Sequence, residues 1–371
     1  MSDPKEWSND YNGFNDWKIL LHKDKLEGCA TGELLPPVAV DTDPSNICQQ
    51  RCIYCNAYDY REKAGFDNMP PGHLLKLADF YADWGVKSTC IAGGGEPLVN
   101  KDTLKMIPRL YKHDIEVGMI TNGALMNEPY AEALTDGARF CGISIDGTSP
   151  ETYKRMRGQD HYNVVVRNVT NLNNLKAKKG SKLDTNLKFL IHPFNHKEIY
   201  EIAKLAKSTG CSGVHIRPVG MENVPGVVNY YKPENNPGFD IEKYTDEVNN
   251  LIQMSYDLED ENFKVYAVRH KFGKNFKRVL KFNKCRATPL SGVFGSDGWF
   301  HLCFSMRGRK GFRLARHYPD PWEIMRAWGS EQHMKIINEI QPEECMRCAF
   351  TRYNEVIENV IIEDKLFGNF I

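Results

Sequence analysis

The stretch "VAVDTDPSNICQQRCIYC", residues 38–55, joins a short apolar run to three cysteines within eight residues. Val38–Asp41 has the composition of a strand, and Pro44, Ser45 and Asn46 break it before the first thiol. Cys48, Cys52 and Cys55 follow at gaps of three and then two residues. A closed structural metal site takes four ligands, and the next histidine, His73, lies well downstream. Either a distant residue completes the set or one coordination position stays open.

Outward from this stretch, further short apolar runs recur: "STCIAG" (88–93), "EVGMIT" (116–121), "FCGISI" (140–145), "NLKFLI" (186–191) and "GVHIRP" (213–218). Between them lie segments of helical apolar spacing that stop at a glycine, such as "PGHLLKLADFYADWG" (71–85), "EPYAEALTDG" and "KEIYEIAKLAKSTG". Strands alternating with helices predict an α/β fold with a parallel sheet and right-handed crossovers. Six such units make a partial (β/α)6 TIM-type barrel over residues 38–225. Residues 1–37 read as a partly helical N-terminal extension. Residues 226–284 read as a linker, "YYKPENNPGFD" (230–240), followed by a helix over 241–263. From Cys285 the texture changes: "GVFGSDGWFHLCF" predicts a β-hairpin turning at Ser296-Asp297-Gly298. Two short helical segments and "CMRC" follow, so 285–371 is expected to form a small α+β domain.

Lysine plus arginine equals aspartate plus glutamate, 48 against 48. That balance disfavours a nucleic-acid partner gripped by its phosphates. Apolar runs fall short of the roughly 18 residues of a membrane span, and the polar start "MSDPKEWSNDYNG" lacks a secretory pattern. The expected location is the cytoplasm, where thiols stay reduced. Eleven cysteines there point to metal ligation before disulfides.

On spacing alone, the first three cysteines fit a zinc site with a borrowed ligand or a four-iron cluster with one iron open. With Tyr54 just before the third cysteine, the pattern resembles the signature of the radical S-adenosylmethionine (SAM) superfamily. "GGGEP" (93–97), "TNG" (121–123) and "SIDG" (144–147) end successive predicted strands and resemble further landmarks of that family. The resemblance covers roughly residues 38–220. It implies that Cys48, Cys52 and Cys55 hold a [4Fe–4S] cluster whose open iron chelates SAM. It also implies that Gly94 and Gly95 admit the methionine part of SAM and Glu96 receives its ammonium. Asn122, Ser144 and Asp146 fall among the cofactor contacts. Arg155 or Arg157 would meet the carboxylate, with Arg217 as another holder, and Tyr54 would lie by the adenine. The implied chemistry is reductive cleavage of SAM to a 5′-deoxyadenosyl radical, with flavodoxin or ferredoxin as the electron donor.

Cys285, Cys303, Cys345 and Cys348 follow the pattern C-x17-C, a long gap, then C-x2-C. Alone they suit a zinc ribbon or a second iron–sulfur cluster. Behind a radical SAM core they resemble the Twitch domain, the shorter relative of SPASM, and the spacing is close to that of 2-deoxy-scyllo-inosamine dehydrogenase. The resemblance implies one auxiliary [4Fe–4S] cluster closed by protein, suited to taking an electron from a substrate radical. Cys90 and Cys141, inside predicted strands, are expected to be small buried hydrophobes.

Strand alternation puts Lys188 and His192 on one face, and His215 and Arg217 on the corresponding face of the next strand. They predict a basic lumen for a small polar or anionic substrate. Lys188, His192 and His215 are the candidate catalytic residues. The leading expectation is a radical SAM oxidoreductase of dehydrogenase type. Peptide (RiPP) modification, a nucleotide-directed reaction and a non-catalytic zinc-stapled binding module are the alternatives.

Overall fold

A computed structural model describes residues 16–55, 57, 58, 60, 61, 68–219, 241–267, 280–345, 348, 350–363, 365 and 369. The predicted linker 230–240 lies outside them. The six predicted strands form as β1 (Ala39–Thr42), β2 (Ser88–Ile91), β3 (Glu116–Thr121), β4 (Phe140–Ser144), β5 (Asp184–Ile191) and β6 (Gly213–Pro218). All pair in parallel in sequence order. Strict alternation explains β5: Thr185, Leu187, Phe189 and Ile191 are buried against helices, while Asn186, Lys188 and Leu190 face the other way, half-buried.

The extension carries α1 (Lys23–Thr31). The crossovers are α2 (His73–Trp84), α3 (Asp102–Lys112), α4 (Glu128–Gly137), α5 (Pro150–Arg157) with α6 (Tyr162–Lys179), and α7 (Ile199–Ser208). Gly85, at φ 83°, stops α2 in a left-handed turn. Asn127 and Ser149 cap α4 and α5 by accepting the amides of Tyr130 and Thr152. The core lies between these helices and the sheet, with Leu74, Leu77, Phe80, Tyr81, Met106, Leu110, Val117, Met119 and Leu187 all buried.

The sheet is larger than six strands. Helix α8 (Thr245–Tyr256) leads to a seventh parallel strand, β7 (Lys264–Ala267), within the segment read as linker and helix. The hairpin forms as expected from β8 (Ser291–Phe294) and β9 (Trp299–His301), with Gly298 at φ 81°. It also shares a sheet with the barrel strands. β8 pairs in parallel with β1, Ala39 opposite Ser291, so the C-terminal segment continues the barrel's own sheet. β10 (Arg313–Arg316) completes the order β10-β9-β8-β1-β2-β3-β4-β5-β6-β7, among the described residues an open sheet of ten strands. Helices α9 (Trp322–Ala327), α10 (Glu331–Glu339) and α11 (Thr351–Val356) follow, the last running on as a π-helix, Ile357–Ile362. Among the described residues, no helix is long and apolar enough to cross a membrane.

Candidate active site

The cysteine loop leaves the C-terminal end of β1. Thr42 anchors that end through its hydroxyl, bonded to Tyr81 and Thr89 at 2.8 Å each. The loop then runs beside the "GGGEP" turn: Gly95 N donates to Ser45 O at 2.9 Å, and Glu96 N to Ile47 O at 2.8 Å. A methyl group on Gly95 would sit 2.3 Å from the Ile47 oxygen, and one on Gly94 would sit 2.6 Å from Asn46 Oδ1. The side-chain faces of both glycines are therefore filled by the cysteine loop, which their bareness lets in. Glu96 is buried and accepts from Thr121 Oγ1 (2.5 Å), Asn122 N (2.8 Å) and Leu98 N (3.2 Å). Burial raises its pKa against those donors. Asn122 accepts from Gln49 at 3.1 Å and approaches Cys48 Sγ with Nδ2 at 3.7 Å.

A second knot ties the far side of the loop. Asp146 accepts from the Tyr54 hydroxyl, pairs with the Arg157 guanidinium, and takes the Leu190 amide at 2.6 Å. Arg157 also reaches Gln50 Oε1 (3.3 Å) and Cys52 Sγ (3.6 Å). Arg155 lies instead over the Phe194 ring, 3.4 Å from its centroid. Ser144 ends β4 opposite Lys188. The thiols are close enough to repel: burial first, then Arg157 in opposition and the other two cysteines, push Cys52 to about 12. Half-buried thiols approached by N–H donors, with Gln50 N 3.4 Å from Cys48 Sγ, suit a thiolate-bound metal cluster whose positive charge replaces the lost solvation. The donor set fits the expected group. Among the described residues, no three His, Cys, Asp or Glu side chains are grouped to hold a single metal ion.

Within the lumen, Lys188 Nζ lies 3.0 Å from His215 Nδ1. Gly142 makes the room, since a methyl there would meet Lys188 Cε at 2.1 Å. Burial first, then Arg217, bring Lys188 down to about 8, and burial with the same cations holds His215 well below 6.5. Arg217 is exposed near the end of β6. His192 is buried in the loop after β5, where its Nδ1 accepts the Phe194 amide at 3.2 Å.

The basic side chains expected from β5 and β6 face acidic ones on the opposite wall. Asp41 and Asp43 stand there, with Arg307 Nε 3.3 Å from Asp43 Oδ2. Burial lifts Asp41 to about 7 against the pull of Arg307. Cys90 is corrected: it pairs with Asp41 in register, and its charged neighbours are Asp41, Lys188, Asp43 and Arg307. Cys141 and Cys211 remain in the apolar core. Asp41 was within reach of the alternation argument applied to β1; Arg307 was not, because it comes from the far end of the chain.

Cys285, Cys303 and Cys348 gather under the C-terminal segment. Burial and each other's proximity raise Cys285 to about 11 and Cys303 to about 12. Asn354 Nδ2 lies 3.7 Å from Cys348 Sγ, while Cys345 Sγ lies 3.7 Å from Gln341 O. The buried Asn354 accepts the amides of Arg286 (2.6 Å) and Ala287 (2.9 Å). Glu358 accepts those of Asn283 (2.8 Å) and Lys284 (2.9 Å). These two staples fix the loop bearing Cys285 to α11 and the π-helix, and no motif announced them.

Residues 42–206 match the model of the Radical SAM superfamily. The chain thus carries a radical SAM domain, whose cofactors are SAM and a [4Fe–4S] cluster; the C-terminal cysteines fit an auxiliary cluster. A probable GTP 3',8-cyclase of Thermococcus kodakarensis is 26% identical over 163 residues, 44% of this chain and 51% of that protein. The chain spans about half the length of the curated relatives it matches. Streptococcus suis SuiB bound to precursor peptide SuiA superposes with a TM-score of 0.63 at 15% identity, over 95% of this chain and 81% of that one. For anSMEcpe with bound AdoMet and Cp18Cys peptide the TM-score is 0.55 at 18% identity, over 86% and 88%. At these identities the likeness establishes the fold.

Proposed function

We propose that this radical SAM enzyme is an oxidoreductase that dehydrogenates a small polar substrate held in the lumen, with Lys188 and His215 taking the substrate proton. The observation that carries the reading is the part-buried contact of 3.0 Å between Lys188 Nζ and His215 Nδ1. When bound, SAM with its cluster supplies hydrogen-atom abstraction, and the auxiliary cluster supplies a one-electron acceptor. Cys48, Cys52 and Cys55 would hold the first cluster, and Cys285, Cys303, Cys345 and Cys348 the second. Glu96, Asn122 and Ser144 would orient SAM beside Tyr54.

Oxidising an alcohol carbon to a carbonyl removes one hydrogen atom, one proton and one electron. The proton is the share that falls to this chain's own side chains. With Lys188 at about 8 and His215 well below 6.5, the pair at neutral pH is an ammonium beside a neutral imidazole. The accepting form is the share of Lys188 present as free amine, which grows as the pH rises toward 8; it takes the proton, and His215 Nδ1 then accepts an N–H of the ammonium so formed.

Anaerobically reconstituted protein is expected to be brown and to hold about eight irons. Reduced with dithionite and given SAM, it should release 5′-deoxyadenosine, and with its substrate a product lighter by two hydrogens. His215→Phe should lower product formed per 5′-deoxyadenosine by roughly 10²-fold. Turnover of GTP or of a peptide alone, or colourless protein loaded with zinc, would overturn this reading.

A further inference from the structure

We infer that Arg307 tunes the auxiliary cluster: its guanidinium makes the cluster at Cys285, Cys303, Cys345 and Cys348 a better electron acceptor, and Asp43 in the lumen wall opposes it. The inference rests on the reading above that a second cluster sits there and takes an electron. Arg307 belongs to the loop that leaves Cys303. Met306 N donates to Cys303 O at 3.1 Å and Arg309 N to Met306 O at 3.2 Å, so two tight turns keep Arg307 close to the thiol it follows. The next residue is clamped as well. Gly308 N donates to His301 Nδ1 at 3.3 Å, and the other nitrogen of that buried ring donates to Asp297 Oδ1 at 3.1 Å. Arg313 holds the second Asp297 oxygen at 3.3 Å.

On the lumen side, the amide of Asp43 donates to Phe294 O of β8 at 2.9 Å, and its carboxylate meets Arg307 Nε at 3.3 Å. The Arg307 side chain is 15% exposed and that of Asp43 is wholly buried, so water does little to screen either charge. Around the guanidinium stand Asp43, Asp41, Tyr60 and Cys303. Arg307 is thus placed between two lumen carboxylates and a thiolate of the cluster site, on a backbone held from both directions. That position gives it an electrostatic role. Loss of one electron from a deprotonated substrate radical leaves a closed-shell product and adds one negative charge beside Cys303. A cation shielded from solvent stabilises that added charge far more than one in bulk water does. Local charge is among the levers that set an iron–sulfur potential. Arg307 rides on the Cys303 loop, whereas Asp43 comes from the end of β1. The positive member is therefore the nearer one, and its sign prevails. Removing Arg307 and removing the charge of Asp43 should move the potential in opposite directions, which a space-filling role does not predict.

The test is a potentiometric titration followed by electron paramagnetic resonance, on the anaerobically reconstituted full chain with SAM. SAM shifts the signal of the cluster with the open iron; the signal it leaves unchanged belongs to the auxiliary cluster. Arg307→Gln should make the auxiliary cluster at least about tenfold harder to reduce, a midpoint lower by about 59 mV. Arg307→Lys, which keeps the charge, should restore most of that loss. Asp43→Asn should raise the midpoint above that of wild type. If Arg307→Gln does not fold, Asp43→Asn decides alone, because a merely structural carboxylate gives no rise. Midpoints that stay put, or that fall in both the Gln and the Asn variant, would overturn the inference, and so would a lysine that restores nothing. Iron content separates the two levels. With about eight irons and a midpoint indifferent to charge, the role of Arg307 fails and the second cluster stands. With about four irons and a single signal, the second cluster fails and the role of Arg307 with it.

Discussion

Asp146 takes three donors at once: a phenol from the cysteine loop, a guanidinium from α5 and an amide from β5. The resemblance of "SIDG" to a landmark of the radical SAM family puts Asp146 among the expected cofactor contacts. In the folded chain the carboxylate is spent on holding Tyr54 and Arg157 over the cysteine loop. Asp146→Asn leaves the buried Arg157 without its counter-charge and is expected to cost about 3–5 kcal/mol. Adding Arg157→Leu should recover part of that loss, because an apolar pair carries no orphan charge. Urea unfolding midpoints of wild type, single and double variants measure it; a single variant as stable as wild type would refute the role. That the cysteine loop and the Glu96 turn lie together was legible, because both follow the C-terminal ends of adjacent predicted strands. Asp43 and Arg307 were not, because their meaning comes from a contact across most of the chain.

At the scale of elements, the six barrel strands were legible wherever apolar alternation ran four residues or more and a glycine stopped the following helix. β7, "KVYA", lies in a segment read as linker and helix and carries too little alternation to stand out, and β8, though read as a hairpin strand, gave no sign of its pairing with β1. Their pairing is set by neighbouring strands that present open backbone edges. The last helix was equally quiet, yet its buried Asn354 and Glu358 hold the segment bearing Cys285. Asn354→Ala leaves the amides of Arg286 and Ala287 without their acceptor, at about 1–3 kcal/mol for each buried group. The local effect is expected to be loss of the auxiliary cluster, with iron falling from about eight toward about four per chain. Iron analysis with electron paramagnetic resonance checks it. Equal loss from both clusters would show that Asn354 supports the whole fold instead.

Across the whole molecule, β8 on β1 joins the two ends of the chain into one sheet, and a buried imidazole pair bolts the join from the helix side. His317 Nε2 donates to Gly295 O at 2.8 Å, which leaves its Nδ1 to accept from His73 Nε2 at 2.9 Å. Both rings are therefore neutral. Burial first, then Lys76 on α2, hold His73 at about 4. Burial first, then His73, hold His317 at about 3, with the Gly295 carbonyl and Asp297 pulling the other way and His301 adding to the depression. An unfolded chain protonates these imidazoles near the ordinary value of 6.5, whereas the folded chain does not until about 4 and 3. Between those limits the unfolded state binds more protons, so stability is full above about 6.5 and falls as the pH falls. For His73 the loss amounts to about 1–2 kcal/mol between pH 6.5 and pH 5. Other buried histidines and the acid sensitivity of bound clusters steepen the same curve, so the comparison must be differential. His73→Gln keeps an N–H donor for His317 Nδ1 and removes one titrating group. The variant should be slightly less stable than wild type at pH 7.5 and close the gap by about 1–2 kcal/mol at pH 5, read from urea midpoints at each pH. A gap that stays constant would mean that the imidazole contact joins the two halves without making the join sensitive to acid.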